Sequence, residues 1–142
     1  MSSGERPEGP LPVPRGLTLE PVVRSARTRA VTALAASPWA PVVAVGGQRQ
    51  VFLYDVETNE LCGVLPFLEG TPHVLKFSRN GSLLPAGGGR GAHSGRVVVW
   101  DVTTGDRLLG VGEEFDSVLA ADISADHGLI ALGGSSRVVR VY

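Results

Sequence analysis

The side chains that could do chemistry are few, and their spacing argues against most reactions. His73, His93 and His127 are scattered along the chain, with no carboxylate or cysteine at metal-ligand spacing around any of them. Cys62 is the single cysteine, so this sequence holds no disulfide framework, no multi-cysteine metal site and no C-x-x-C-H haem attachment. Glu113, Glu114 and Asp116 lie close enough for paired acid and base work, yet no histidine or metal ligand accompanies them; solvated charge on a connecting turn is the expectation. Gly87-Gly88-Gly89-Arg90-Gly91 lacks the Gly-Lys-Ser/Thr ending of a phosphate-cradling loop and precedes no helical pattern. Ser117, Ser135 and Ser136 have no nucleophile-elbow context. What remains is Arg90, His93 and Arg96, gathered in one glycine-rich polar stretch that reads as a solvated loop, with a partner-binding loop as the alternative. No catalytic residue, cofactor or metal is expected.

The elements that must position these residues follow from a segment that recurs three times. Ser37, Ser78 and Ser124 stand 41 and then 46 residues apart, and Gly46, Gly87 and Gly133 repeat the same two intervals. Periods of about 40 to 45 residues mark propellers and related arrays, in which one unit cannot bury its apolar face alone. Each copy reads as short β-branched runs separated by turn residues. Strands are predicted near 31–37, 42–46, 51–56 and 61–67, then 73–78, 83–87, 96–102 and 107–111, then 119–124, 129–133 and 138–142. Asn80-Gly81 is a strong hairpin signal because both residues tolerate positive φ. His73 begins an inner strand and is expected to be structural; His127 falls in a turn. The spacing predicts an all-β chain: two four-stranded units, about 30–70 and 71–116, and three strands of a third over 117–142.

The longer second interval has a local cause. Gly47 to Tyr54 spans 7 residues and Gly88 to Trp100 spans 12, which places a five-residue insertion within 89–95, predicted as a flexible loop on the rim. Pro85 falls inside a predicted central strand and cannot donate to a ladder, so a bulge or a weakened unit is expected there.

Composition agrees with a globular domain. Of 142 residues, 43% are hydrophobic and 19% charged, and 19 glycines with 10 prolines supply the many turns. Thirteen Lys plus Arg against fourteen Asp plus Glu leave a net charge of −1, so no global field favours nucleic acid or an anionic membrane, and neither partner is expected. Residues 1–29 are proline-rich and polar, with a small basic run at Arg24, Arg27 and Arg29; they are predicted to be a linker or arm. They show no secretory signal pattern, from which a cytoplasmic location is expected.

Several of these motifs occur together in a known family. Trp100-Asp101, after Val97-Val98-Val99 and before Val102-Thr103-Thr104-Gly105, resembles the Trp-Asp ending of a WD repeat. Tyr54-Asp55 is the same ending with Tyr for Trp, and Tyr142 stands where a third would begin. Phe77-Ser78-Arg79-Asn80-Gly81 is similar to the family's turn between its first two strands. The resemblance covers 30–142 and implies a partial β-propeller, a non-enzymatic scaffold for protein partners. The family's Gly-His pair and its Asp before the third strand are missing, with Gln48-Arg49 and Ser135-Ser136 in place of the Asp. Their buried hydrogen-bond network is therefore expected to be absent.

The repeats also resemble those of bacterial proteins that join a cytochrome-c-like module to a WD-repeat propeller. That implies an alternative role as the accessory propeller of a c-type cytochrome or enzyme unit encoded separately, in which case the complete protein would be periplasmic. Propellers close with typically four to eight blades. The sequence is accordingly expected to be a fragment of a longer ring, with a homo-oligomer that closes the ring as the other possibility.

Overall fold

The computed structural model describes residues 30–142; the expected arm, 1–29 with its arginines, lies outside them. The described residues form eleven strands and no helix. The first sheet holds β1 (Ala33–Ala36), β2 (Val42–Gly47), β3 (Gln50–Asp55) and β4 (Leu61–Pro66) in chain order. The second holds β5 (Thr71–Leu75), β6 (Leu83–Arg90), β7 (Ser94–Asp101) and β8 (Arg107–Glu114), again in chain order. The third holds β9 (Val118–Ile123), β10 (Ile130–Gly134) and β11 (Val139–Val141). Every pairing is antiparallel, as expected when tight turns join neighbours.

The repeated serine earns its place in the first turn of each unit. Ser78 and Ser124 each accept a bond at Oγ from the backbone N–H five residues on, Leu83 at 3.0 Å and Leu129 at 2.9 Å. Their own N–H groups reach the carbonyls of those same residues at 2.9 Å. Ser37 bonds Val42 in the same way through its backbone. A short hydroxyl side chain closes such a turn without crowding it.

Burial explains which strands alternate and which do not. The first core cluster joins Ala44, Val51, Leu53 and Leu65 of the first sheet to Leu75, Leu84, Ala86, Val98 and Trp100 of the second, with Phe67 between them. The second joins Val97 and Val99 to Val118, Ile130 and Leu132 of the third sheet. The middle sheet is thus covered on both faces, and β7 is apolar without a break from Val97 to Trp100. In β3 only Val51 and Leu53 are buried, while Phe52 and Tyr54 are half-buried. The three sheets follow one another in a row, each packed on the next.

Gly87 permits the second contact. A Cβ there would stand 2.7 Å from a Val74 methyl and 2.9 Å from a Val118 methyl, so only glycine lets the sheets approach this closely.

Two expectations need correction. The insertion is not a flexible loop: β6 and β7 are each two residues longer than β2 and β3, and the fifth residue sits in the turn. Glycine-rich residues join the ladder here because β5, β7 and Asp116 crowd them; a Cβ on Gly95 would lie 2.1 Å from the Asp116 carbonyl. Nor does Pro85 disrupt its own strand. Within β6 it pairs with Val99 of β7, and its carbonyl accepts from Lys76 N–H at 3.0 Å. In an antiparallel ladder a residue's N–H and C=O point to the same neighbour, so the donor Pro85 lacks is lost only towards β5. β5 accordingly ends at Leu75, and the bulge lies between Pro72 and Val74 instead.

Candidate functional site

The strand order brings the β2–β3, β6–β7 and β10–β11 turns to one rim, together with the β4–β5 and β8–β9 connections. Arg90 and His93 lie there, both exposed, with His93 N–H donating to the Arg90 carbonyl at 3.0 Å across the turn. Arg96 does not complete the expected trio. It stands two residues inside β7, half-buried, and its Nε donates to the Gly112 carbonyl at 3.1 Å on β8. Its guanidinium is a brace between two strands.

The acidic connection overturns the expectation of solvated charge. Glu114 is buried and pairs with Arg140 of β11, which ties the second sheet to the third. Asp116 is the centre of a larger junction. Its Oδ1 accepts from the N–H groups of Ala92 at 2.9 Å and Ser117 at 2.8 Å, and its Oδ2 accepts from the Ser135 hydroxyl at 2.8 Å. Three segments distant in sequence meet at this carboxylate. The Ala92 N–H, then the Ser135 hydroxyl and the Ser117 N–H hold its pKa below the usual carboxylate value, and His73 adds to the effect. His73 itself is exposed on β5, at the bulge. Asp116 and Ser135 thus make a polar tie from the connection to the β10–β11 turn. Glu69 of the β4–β5 connection pairs with Arg107 of β8.

The Tyr-Asp and Trp-Asp pairs occupy the same place in successive sheets, at the end of the third strand. Trp100 is 1% exposed and meets the Phe67 ring edge-on, centroids 6.2 Å apart. Asp55 accepts at Oδ1 from the N–H groups of Glu57 and Thr58, at 2.8 and 3.1 Å. Asp101 does the same for Thr103 and Thr104, at 2.8 and 3.3 Å. Each carboxylate thereby fastens the turn after its strand. The Thr103 hydroxyl, followed by the two N–H groups, lowers the Asp101 pKa. Tyr142 exchanges both backbone bonds with Ile130 at 2.9 Å and continues the β10–β11 ladder.

On the opposite rim Asp126 accepts from the Ser124 hydroxyl at 2.6 Å and Gly128 N–H at 3.0 Å, which lower its pKa. His127 follows it at φ 61°, in the β9–β10 turn. Among the described residues no group of three His, Cys, Asp or Glu is placed to hold a metal ion. Asp55, Asp101, Asp116 and Asp126 each accept from backbone donors, an arrangement that fixes turns. Sequence reasoning missed the junction at Asp116, since nothing within a few residues announces donors 19 and 24 positions away. No protein-family model matches the chain, and no curated protein matches it.

Proposed function

We propose that the chain is part of a WD-repeat β-propeller, two four-stranded blades and three strands of a third, serving as a non-enzymatic module that holds protein partners on its rims. The observation that carries this is the shared place of Tyr54-Asp55 and Trp100-Asp101. In both units the aromatic ends the third strand, and the Asp secures the following turn with two backbone bonds. The three sheets packed in chain order support the same reading, because propeller blades bury themselves only against neighbours. Asp101, Asp116 and Asp126, whose pKa values are pushed down by hydroxyl and backbone donors, are engaged in holding turns.

A photo-crosslinking residue placed at Ala92, on the tip of one rim, or at Thr58, on the other, tests the proposal in extract from the source cells. A discrete adduct that excess unlabelled chain competes away is the expected result. Absence of a saturable adduct from both rims would overturn the interaction reading.

A further inference from the structure

We infer that the rim carrying the β2–β3, β6–β7 and β10–β11 turns takes an acidic peptide segment whose carboxylates alternate with apolar side chains; this rests on the interaction reading above and names its partner class. Each of the three turns presents an exposed cation: Arg49, then Arg90 with His93, then Arg137. Among the described residues none of these four makes an ion pair.

Between the turns run the two connections, and each offers an apolar side chain to solvent, Leu68 at 61% exposure and Phe115 at 91%. The order along the rim follows from backbone bonds. Phe67 N–H donates to the Arg49 carbonyl at 2.9 Å, and Thr71 pairs with Gly89 beside Arg90, so the first connection lies between the first two turns. Asp116 bonds both Ala92 and Ser135, so the second lies between the second and third turns. The surface thus alternates cation, apolar, cation, apolar, cation.

Two of the carboxylates that could quench this row are paired elsewhere. Glu69 and Glu114 are paired with Arg107 and Arg140; Asp116 keeps its charge among three neutral donors, and with exposed Glu113 it leaves two carboxylates beside the row of cations. Asp55, Glu57, Glu60, Asp101, Asp106 and Asp126 fall instead on the opposite rim, in or beside the β3–β4, β7–β8 and β9–β10 turns. An anionic partner is therefore steered to one rim of a chain whose net charge is only −1. Stacked sheets lie about 10 Å apart, and a polyproline II segment advances about 3.1 Å per residue with three residues per turn, so carboxylates on one face of such a segment recur every third residue at a matching spacing.

The probe is a fluorescein-labelled peptide, Glu-Ser-Leu-Glu-Ser-Phe-Glu, titrated with the 142-residue chain by fluorescence anisotropy at low and high salt. Saturable binding is expected, weakened roughly tenfold by the pair Arg49→Glu and Arg137→Glu, with a shallower salt dependence. Phe115→Ser should weaken binding and leave the salt dependence intact. Glu57→Lys with Asp106→Lys, on the other rim, should change neither, and circular dichroism checks that each variant is folded. Absence of saturable binding, or binding indifferent to the Arg49, Arg137 and Phe115 changes, would overturn the inference. So would a single-stranded oligonucleotide of equal charge that displaces the peptide and binds more tightly. Adducts at Ala92 with no peptide binding sink the partner class alone; no adduct at either rim sinks the interaction reading itself.

Discussion

Ser135 donates its hydroxyl proton to Asp116 Oδ2 at 2.8 Å, joining the β10–β11 turn to the connection that enters the same sheet. Because Oδ1 of that carboxylate also holds Ala92 in the second sheet, one side chain couples the two sheets at their rim.

Asp116→Ala removes all three acceptor contacts and should lower the thermal midpoint by several degrees. Hydrogen exchange should accelerate in the turns at 91–93 and 135–137 together. Ser135→Ala should loosen only the second turn. If Asp116→Ala speeds exchange in neither turn, the junction does not hold them.

The acid limb of the stability curve carries the same signature. Asp101, Asp116 and Asp126 all have pKa values depressed by hydroxyl and backbone donors. A group whose folded pKa lies below its unfolded value contributes stability above the unfolded value and loses it as pH falls through the folded one. Urea midpoints should therefore hold steady down to about pH 4, near the unperturbed carboxylate value, and decline below it. Asp116→Asn should make that decline shallower. A midpoint that rises on acidification contradicts the assignment.

Trp100 fills the space between the first two sheets against Phe67, Leu84 and Val98. Trp100→Ala should cost about 3–5 kcal/mol, measured by chemical denaturation, because neighbouring strands cannot collapse into so large a void. Tyr54→Ala, at a half-buried position in the first sheet, should cost less. Equal losses at the two sites would show that their matching places in the repeat hide no difference in burial.

Gly87 tests the close approach of the second and third sheets. Gly87→Val overfills a position where even one carbon meets Val74 and Val118, and should cost about 1–3 kcal/mol. Val74→Ala in the same chain should recover part of that loss. An unchanged midpoint for Gly87→Val would mean that the sheets can separate there freely.

Much of the strand plan was legible in residues 30–142 because its signals are local. The run Val97 to Trp100, the Asn80-Gly81 turn and the serine ahead of each second strand act over a handful of residues, and the sheets of four, four and three strands followed. The insertion was located correctly and given the wrong conformation. Glycine and polar residues suit a loop, but two neighbouring strands offered those backbones ladder partners that a one-dimensional pattern cannot display. Pro85 was similarly ambiguous, since its cost depends on which neighbour its missing donor faces.

Arg96 stands apart from Arg90 and His93 for a related reason. Arg90, His93 and Arg96 are close in sequence, yet strand alternation and the Gly112 carbonyl took Arg96 out of the rim. Arg49 and Arg137 stand 41 and 47 residues from Arg90 along the chain, and share its rim only because corresponding turns of packed sheets point the same way.

By itself the sequence determined the repeat period, the strands and turns within each period, and the serines and aromatic-Asp pairs that mark them, since alternation and turn chemistry depend on near neighbours. Only the tertiary structure decided what the polar side chains do. Glu114 found Arg140 at a separation of 26 residues, and Asp116 found Ala92 and Ser135 at 24 and 19. Hydrogen bonds and ion pairs act over a few ångströms, so their partners are named by the packing of sheets and not by distance along the chain.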